Sequence, residues 1–247
     1  MRTLTLRTAL GLMTALSAGA ARADVVFTDS TFAPANYSAG FTYLQDATTT
    51  ATAMQCAACG NPGTAFEFNV TETTGGPSFG SVAALVGVIN TTFSYNPLTQ
   101  GALASITASV DKNFTVNVPV GFNNTFRPII EQDGNFYTAV IAGTPLTGPG
   151  TTGYLTLSKS GLLASNFVQI NPATGTFGTA NPNFAGDPML FGLSQLIGDT
   201  AVANTVATTD YDNISLTLVT AVPEPASLAL LLAGIFGLAG ARSRRQK

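Results

Sequence analysis

The chain has 247 residues, 45% of them hydrophobic and only 9% charged, with two cysteines, no histidine and no tryptophan. Without an imidazole there is no Ser-His-Asp or Cys-His arrangement and no base whose ordinary pKa lies near neutrality. The formal net charge of −3 hides an uneven distribution: residues 24–221 hold twelve acidic side chains against Lys112, Arg127 and Lys159, a net −9. Such a segment lacks the basic footprint of a nucleic-acid binder, so no nucleic-acid partner is expected.

The N-terminus reads as a secretory leader. Arg2 and Arg7 precede the weakly polar stretch 8–16, and Ala21-Arg22-Ala23 offers small residues at the cleavage positions, which predicts a signal peptide over 1–23 handled by the secretion translocon, with Asp24 the first mature residue. The stretch is too short to be a comfortable spanning helix. Residues 24–221 then form one segment long enough for a substantial core.

Within that segment, residues 66–70, 103–110, 114–118 and 214–218 alternate apolar with polar at period two, each the mark of a strand that buries one face. Residues 80–89 are apolar nearly throughout, so they fit a buried strand or a short helix equally. Asn61-Pro62-Gly63, Gly75-Gly76-Pro77, Asn96-Pro97, Asp133-Gly134, Gly148-Pro149-Gly150 and Asn181-Pro182 mark turns between these runs. Frequent strands and turns predict an all-β fold, a two-sheet β-sandwich of jelly-roll type.

Cys56 and Cys59 sit in a loop-like context, followed at once by Gly60, Pro62 and Gly63. A closed zinc site would need two more Cys or His, and an exchange-active pair prefers a helix start. In an exported chain a small-loop disulfide is the better reading. Glu67, Glu72, Glu131 and Asp133 do not form a recognised catalytic carboxylate pair, so a glycoside-active enzyme is a distant alternative and the expectation is a protein without enzymatic activity.

The C-terminus carries the sharpest signal. Val222-Pro223-Glu224-Pro225 leads into an uncharged run over 226–241, and Arg242, Arg244, Arg245 and Lys247 close the chain. At ~1.5 Å per residue the run spans about 24 Å as a helix, somewhat short of a ~30 Å hydrocarbon core, a mismatch that snorkelling arginines relieve. The terminal cluster should stay cytoplasmic, and the prolines keep the motif extended outside the membrane. These three parts in this order resemble the PEP-CTERM sorting signal of Gram-negative surface proteins; a plain membrane anchor is the alternative. The resemblance implies processing by an exosortase-type enzyme. In that role Pro223, Glu224 and Pro225 are the recognition motif, residues 226–241 a single transmembrane helix, and residues 242–247 the orienting basic end. The chain would be exported, tethered to the inner membrane before processing, and then found at the cell surface or outside the cell.

Phe126-Arg127-Pro128-Ile129-Ile130-Glu131, Gly134-Asn135-Phe136-Tyr137-Thr138-Ala139, Gly153-Tyr154-Leu155-Thr156-Leu157 and Tyr211-Asp212-Asn213-Ile214-Ser215-Leu216 are similar to strands of concanavalin-like and carbohydrate-binding-module jelly rolls. That resemblance implies no cofactor other than a structural calcium, for which Asp212 is the matching residue and Asp29, near the first strand, its partner; solvated or turn-capping carboxylates are the alternative. Sugar sites in such sandwiches combine flat rings with amide and carboxylate groups, and Tyr137 and Tyr154 are the leading aromatic candidates, with Tyr43 and Tyr95 behind them. The expected function is a structural or adhesive surface or extracellular-matrix protein, as in a biofilm. The alternative is a lectin-like module for exopolysaccharide.

Overall fold

The computed structural model describes residues 23–74, 82–118, 122–198 and 202–221. The leader up to Arg22, the Gly75-Gly76-Pro77 turn and the tail from Val222 lie outside them. Asp24–Thr220 makes one compact unit. Its strands are β1 (Val25–Asp29), β2 (Tyr37–Leu44), β3 (Thr49–Gly60), β4 (Gly63–Glu72), β5 (Val82–Tyr95), β6 (Leu103–Val116), β7 (Phe122–Gln132), β8 (Asn135–Thr138), β9 (Ile141–Leu146), β10 (Gly150–Thr151), β11 (Leu155–Leu162), β12 (Val168–Asn171), β13 (Thr176–Phe177), β14 (Met189–Gly198) and β15 (Thr205–Thr220), with an α-helical turn, α1 (Pro97–Gln100), after β5 and 3-10 turns at Pro34–Asn36 and Ala164–Asn166.

The first sheet runs β10-β6-β15-β4-β3, with β1 also beside β15 and β11 beside β6. The second runs β13-β12-β8-β7-β14-β5-β2, with β9 beside β7. This is the expected two-sheet, all-antiparallel sandwich. Its main core lies between the sheets: Phe66, Phe68, Ile106, Val110, Tyr211, Leu216 and Leu218 from the first meet Val86, Val88, Phe126, Ile130, Phe191 and Leu193 from the second. Tyr211 stands at the centre, fully buried, edge-on to Phe68 at 5.7 Å and tilted against Phe126 at 5.5 Å. Its hydroxyl donates to Gln195 Oε1 at 3.0 Å, tying the two sheets together.

Two readings of the sequence change in detail. The alternating runs at 103–110 and 114–118 fall largely on one strand, β6, because Asp111 and Asn113 continue its outward phase while Lys112 takes an inward position. Lys112 is fully buried, its Nζ donating to the Asn124 carbonyl at 2.6 Å, and burial pushes its ammonium down to about 7. The ambiguous run 80–89 enters strand β5, not a helix. It lacks alternation because both faces are covered: Val86 and Val88 point between the sheets, while Leu85 and Ile89 point to the opposite side. The Asp133-Gly134 turn, with φ of 52° and 71°, joins β7 to β8 as a tight hairpin.

That opposite side of the second sheet is a core of its own, built from Phe41, Leu85, Ile89, Ile129 and Ile170. Phe41 on β2 and Phe136 on β8 are four strand spacings apart, about 19 Å along a flat sheet, yet their rings meet edge-to-face at 5.0 Å. The sheet therefore curls until its distant strands touch. Gly175, in the β12–β13 turn with φ of 64°, packs so tightly against the Tyr43 ring of β2 that a Cβ there would overlap it. Gly87 of β5 lies directly beneath Phe41, and a Cβ would overlap that ring too. Gly87→Ala is expected to lift Phe41 from the curl and cost about 1–3 kcal/mol, read as a lower midpoint in denaturant with an unchanged m-value.

Candidate functional site

The outward face of the first sheet gathers four of the domain's twelve acidic side chains. Register places Asp210 of β15 opposite both Glu67 of β4 and Asn113 of β6, and Asp212 opposite Asp111. Because 210 and 212 share one face of the strand, four carboxylates come together across three adjacent strands. Over them lies the end of β3, where the ladder with β4 skips from Cys56–Ala65 to Gly60–Gly63 and leaves residues 57–59 bulged out as a small loop. Cys56 and Cys59 are joined as a disulfide across this bulge. The Tyr154 hydroxyl donates to the Cys59 carbonyl and completes the roof.

The four carboxylates have unequal surroundings. Asp111 accepts from Thr156 Oγ1 at 2.5 Å and Asn213 Nδ2 at 2.9 Å. Asp212 accepts from the Asn61 and Asn213 amides at 2.6 and 2.7 Å. Asp210 is only 7% exposed; Asn113 Nδ2 reaches its Oδ2 at 3.1 Å, and its Oδ1 is buried with no partner. Burial pushes its carboxyl up to about 6, the Asn113 hydrogen bond opposing and the charge of Glu67 adding to the rise. Burial and then the charges of Asp210, Asp212 and Asp111 hold the Tyr154 hydroxyl well above the usual phenol range.

The other sequence candidates fall elsewhere. Asp29 ends β1 beside β15, as expected for first and last strands, but its carboxylate is taken up locally. Oδ1 accepts from the Thr31 amide and hydroxyl and the Phe32 amide, and Oδ2 from the Tyr37 hydroxyl. Tyr137 is buried in the main core and offers no ring face to solvent; Tyr95 is buried as well. Tyr154 is spent on the disulfide loop. Glu67 and Glu131 lie on different sheets, and Glu131 caps the β7–β8 turn through the Gly134 amide. Ala23 and Asp24 are exposed ahead of β1, with Asp24 Oδ1 accepting from the Thr220 amide at 3.4 Å. Ala21, Pro223, Glu224, Pro225, Arg242, Arg244 and Arg245 lie outside the described residues. Among the described residues the one group of three metal-capable side chains is Cys56, Cys59 and Glu67, whose sulfurs are already bonded to each other.

A cleft of about 330 Å³ opens at the β8–β12–β13 end of the curled sheet, lined by Asn135, Phe136, Gln169, Asn171 and Phe177 among others. Phe177 is 39% exposed, with the Arg127 guanidinium 5.2 Å from its ring centroid. Gln169 Nε2 donates to Asn135 Oδ1 at 2.9 Å. Sequence reasoning missed this group because Phe177 sits on a two-residue strand with no periodicity to place it. A second groove of about 460 Å³ runs between the edge strands β2 and β3, over Tyr37, Phe66 and Val88.

Residues 221–245 match the PEP-CTERM protein-sorting motif. The sorting motif begins where β15 ends and covers the Pro-Glu-Pro sequence, the apolar run and the arginines, and it implies an exported protein. No curated protein sequence matches the chain. Solved structures of similar fold include a family 11 carbohydrate-binding module from Clostridium thermocellum in complex with a mixed-linked tetrasaccharide, at 13% identity over 83% of this chain and 100% of that one, TM-score 0.39. A family 22 xylan-binding domain from Paenibacillus barcinonensis has 13% identity over 82% and 99%, TM-score 0.34. Basic winged bean lectin has 10% identity over 79% and 98%, TM-score 0.33. Among the described residues no helix is long and apolar enough to cross a membrane.

The raised Asp210 pKa has a thermodynamic consequence. The folded state binds this proton more tightly than the unfolded chain, whose carboxyl titrates at about 3.9, so the group's contribution to stability falls as pH rises from about 4 through about 6. Asp210→Asn should flatten that part of the profile in chelator-containing buffer. It should raise the melting temperature at pH 7.5 while leaving it unchanged at pH 3.5.

Proposed function

We propose that the chain is a surface or extracellular-matrix protein with a structural, adhesive role. It is held in the inner membrane by its tail until an exosortase-type enzyme processes it near Pro223-Glu224-Pro225. The observation that carries this reading is the sorting motif at 221–245, which follows immediately on the last strand of the sandwich. The apolar run 226–241 would hold the substrate in the membrane and Arg242, Arg244 and Arg245 would orient it. A sandwich that derives its surface polarity mainly from Thr, Ser, Asn and Gly suits such a setting, because neutral hydrogen-bonding groups keep it hydrated whatever the local salt.

A second reading is favoured by one specific observation, the exposed Phe177 ring beside the amides of Asn135, Gln169 and Asn171. A flat apolar face flanked by neutral donors and acceptors is the chemistry that recognises a sugar ring. In this reading the sandwich adheres by gripping exopolysaccharide at the cleft, and Tyr137 and Tyr154 take no part.

Intact mass and terminal peptide mapping of protein recovered from cell surface and medium should give a chain that starts at Asp24 and ends near Pro225; retention of residues 226–247 would overturn exosortase processing. Gene deletion should weaken cell aggregation or biofilm cohesion. For the cleft, Phe177→Ala should weaken saturable binding to host exopolysaccharide about tenfold, the loss of one stacking contact of about 1.5 kcal/mol. If the unaltered protein shows no saturable binding, the sugar reading falls and the purely structural one stands.

A further inference from the structure

A strand at the border of a sheet presents free N–H and C=O groups to whatever comes beside it, and proteins that stay apart blunt such borders with brevity, charge, proline or a bulge. Most borders of this sandwich are blunted in those ways. β10 and β13 are two residues long, β9 holds Pro145, and β1 has five residues and ends on Asp29. β11 carries Lys159 with a register shift after it, and β2 is broken by a bulge between Ala39 and Phe41. β3 has none of these devices over residues 49–56. That stretch pairs with β4 in unbroken register, from Thr49 opposite Glu72 to Cys56 opposite Ala65, and contains no charge, proline or glycine. Among the described residues no strand pairs with its other side.

A second observation lies beside that border. The groove of about 460 Å³ between β2 and β3 has Phe66, Val86 and Val88 of the main core in its lining, with Ala51 and Ala53 of β3 next to them. Along this side the sandwich is open to its interior. Charge restricts what can cover it when the partner is another copy: a domain of net −9 repels its like over most of its surface, and residues 49–55 form a strip with no acid in it. The strip also suits itself. Thr50, Thr52 and Met54 are exposed on one side of the strand, and the small Ala51 and Ala53 alternate with them.

We propose that β3 pairs antiparallel with β3 of a second copy about a two-fold axis at Thr52, so that the first sheets of two molecules run on into each other and their β2–β3 grooves close against one another. Thr50 of each copy then lies opposite Met54 of the other, and Ala51 opposite Ala53. The two Asp46 side chains, six positions from the axis on opposite sides, stand about 40 Å apart. Because the contact is the same patch on both molecules, it closes as a dimer and leaves no free β3 border to propagate. Seven residues make a strip about 24 Å long, and with the sheets about 10 Å apart it is roughly 15 Å wide, about 400 Å² on each copy. The total of about 800 Å² falls below that of a standard interface, so the pairing is weak and forms where copies are concentrated. It uses neither the sorting motif nor the cleft at Phe177, and it can fail while both of those readings stand.

The test uses the purified full-length chain in detergent micelles. The native cysteines are bonded to each other, so an introduced cysteine is the free thiol. Thr52→Cys should meet its own copy across the axis with Cβ atoms about 5 Å apart, and oxidation with copper-phenanthroline should convert most of the chain to a covalent dimer at high concentration. Val26→Cys, equally exposed on β1, should stay monomeric under the same treatment. Adding Thr50→Lys and Met54→Lys to Thr52→Cys sets lysines opposite each other on both sides of the axis and should cut the dimer yield about tenfold. The proposal is overturned if Thr52→Cys gives no more dimer than Val26→Cys, which is the result expected when copies meet through the apolar tail alone. It is equally overturned if the paired lysines leave the yield unchanged.

Discussion

The fold depends on a change of phase within its last strand. β15 is sixteen residues long and pairs with β6 on one side and with β4 and then β1 on the other. In its first half Ala207, Thr209 and Tyr211 point inward; strict alternation would then send Ile214, Leu216 and Leu218 out to solvent. A register shift between Asp212 and Ser215, with Asn213 at φ 48°, inserts one residue and restores the inward phase. One bulge thereby lets a single strand serve the core along its whole length. The same bulge turns Asp212 towards the Asn61 and Asn213 amides and so anchors the disulfide loop.

From that strand the two sheets divide their work unequally. The first has one wet face, and the residues with unsatisfied charge collect there, over β6, β15 and β4. The second has no fully wet face, because its curl fills the hollow with Phe41, Leu85, Ile89, Ile129 and Ile170. An open concave trough is absent from the described part of that sheet for this reason, and what remains accessible is the short cleft at its β12–β13 end.

Much of this was legible in the sequence where alternation was strict. Phe66 and Phe68 are inward and Glu67 outward as their spacing required, and the Asp133-Gly134 turn is where its residue types put it. Residues that obey a longer-range rule were not legible. Tyr137 carries the chemistry of a binding residue, but its position on β8 points it between the sheets. Lys112 interrupts an apolar stripe and looks like a strand break, whereas its ammonium lies 5.7 Å from the Phe114 ring centroid and donates to a main-chain carbonyl. Asp210 shares a strand face with Asp212 by simple parity, yet its pairing with Glu67 joins residues far apart in the chain and depends on which strands become neighbours. The sorting tail was fully legible because its meaning lies in composition and order, not in tertiary contact.

The curl of the second sheet also bears on how such molecules live side by side. Open sheets end in strands whose free N–H and C=O groups can recruit a neighbour's backbone. Here one end of the second sheet is a two-residue strand, and the turn beside it is clasped against Tyr43 of the opposite end, so that border presents no long, flat template. Copies of the chain that meet at that end can touch without extending this sheet, and their cohesion there is left to side chains that can let go.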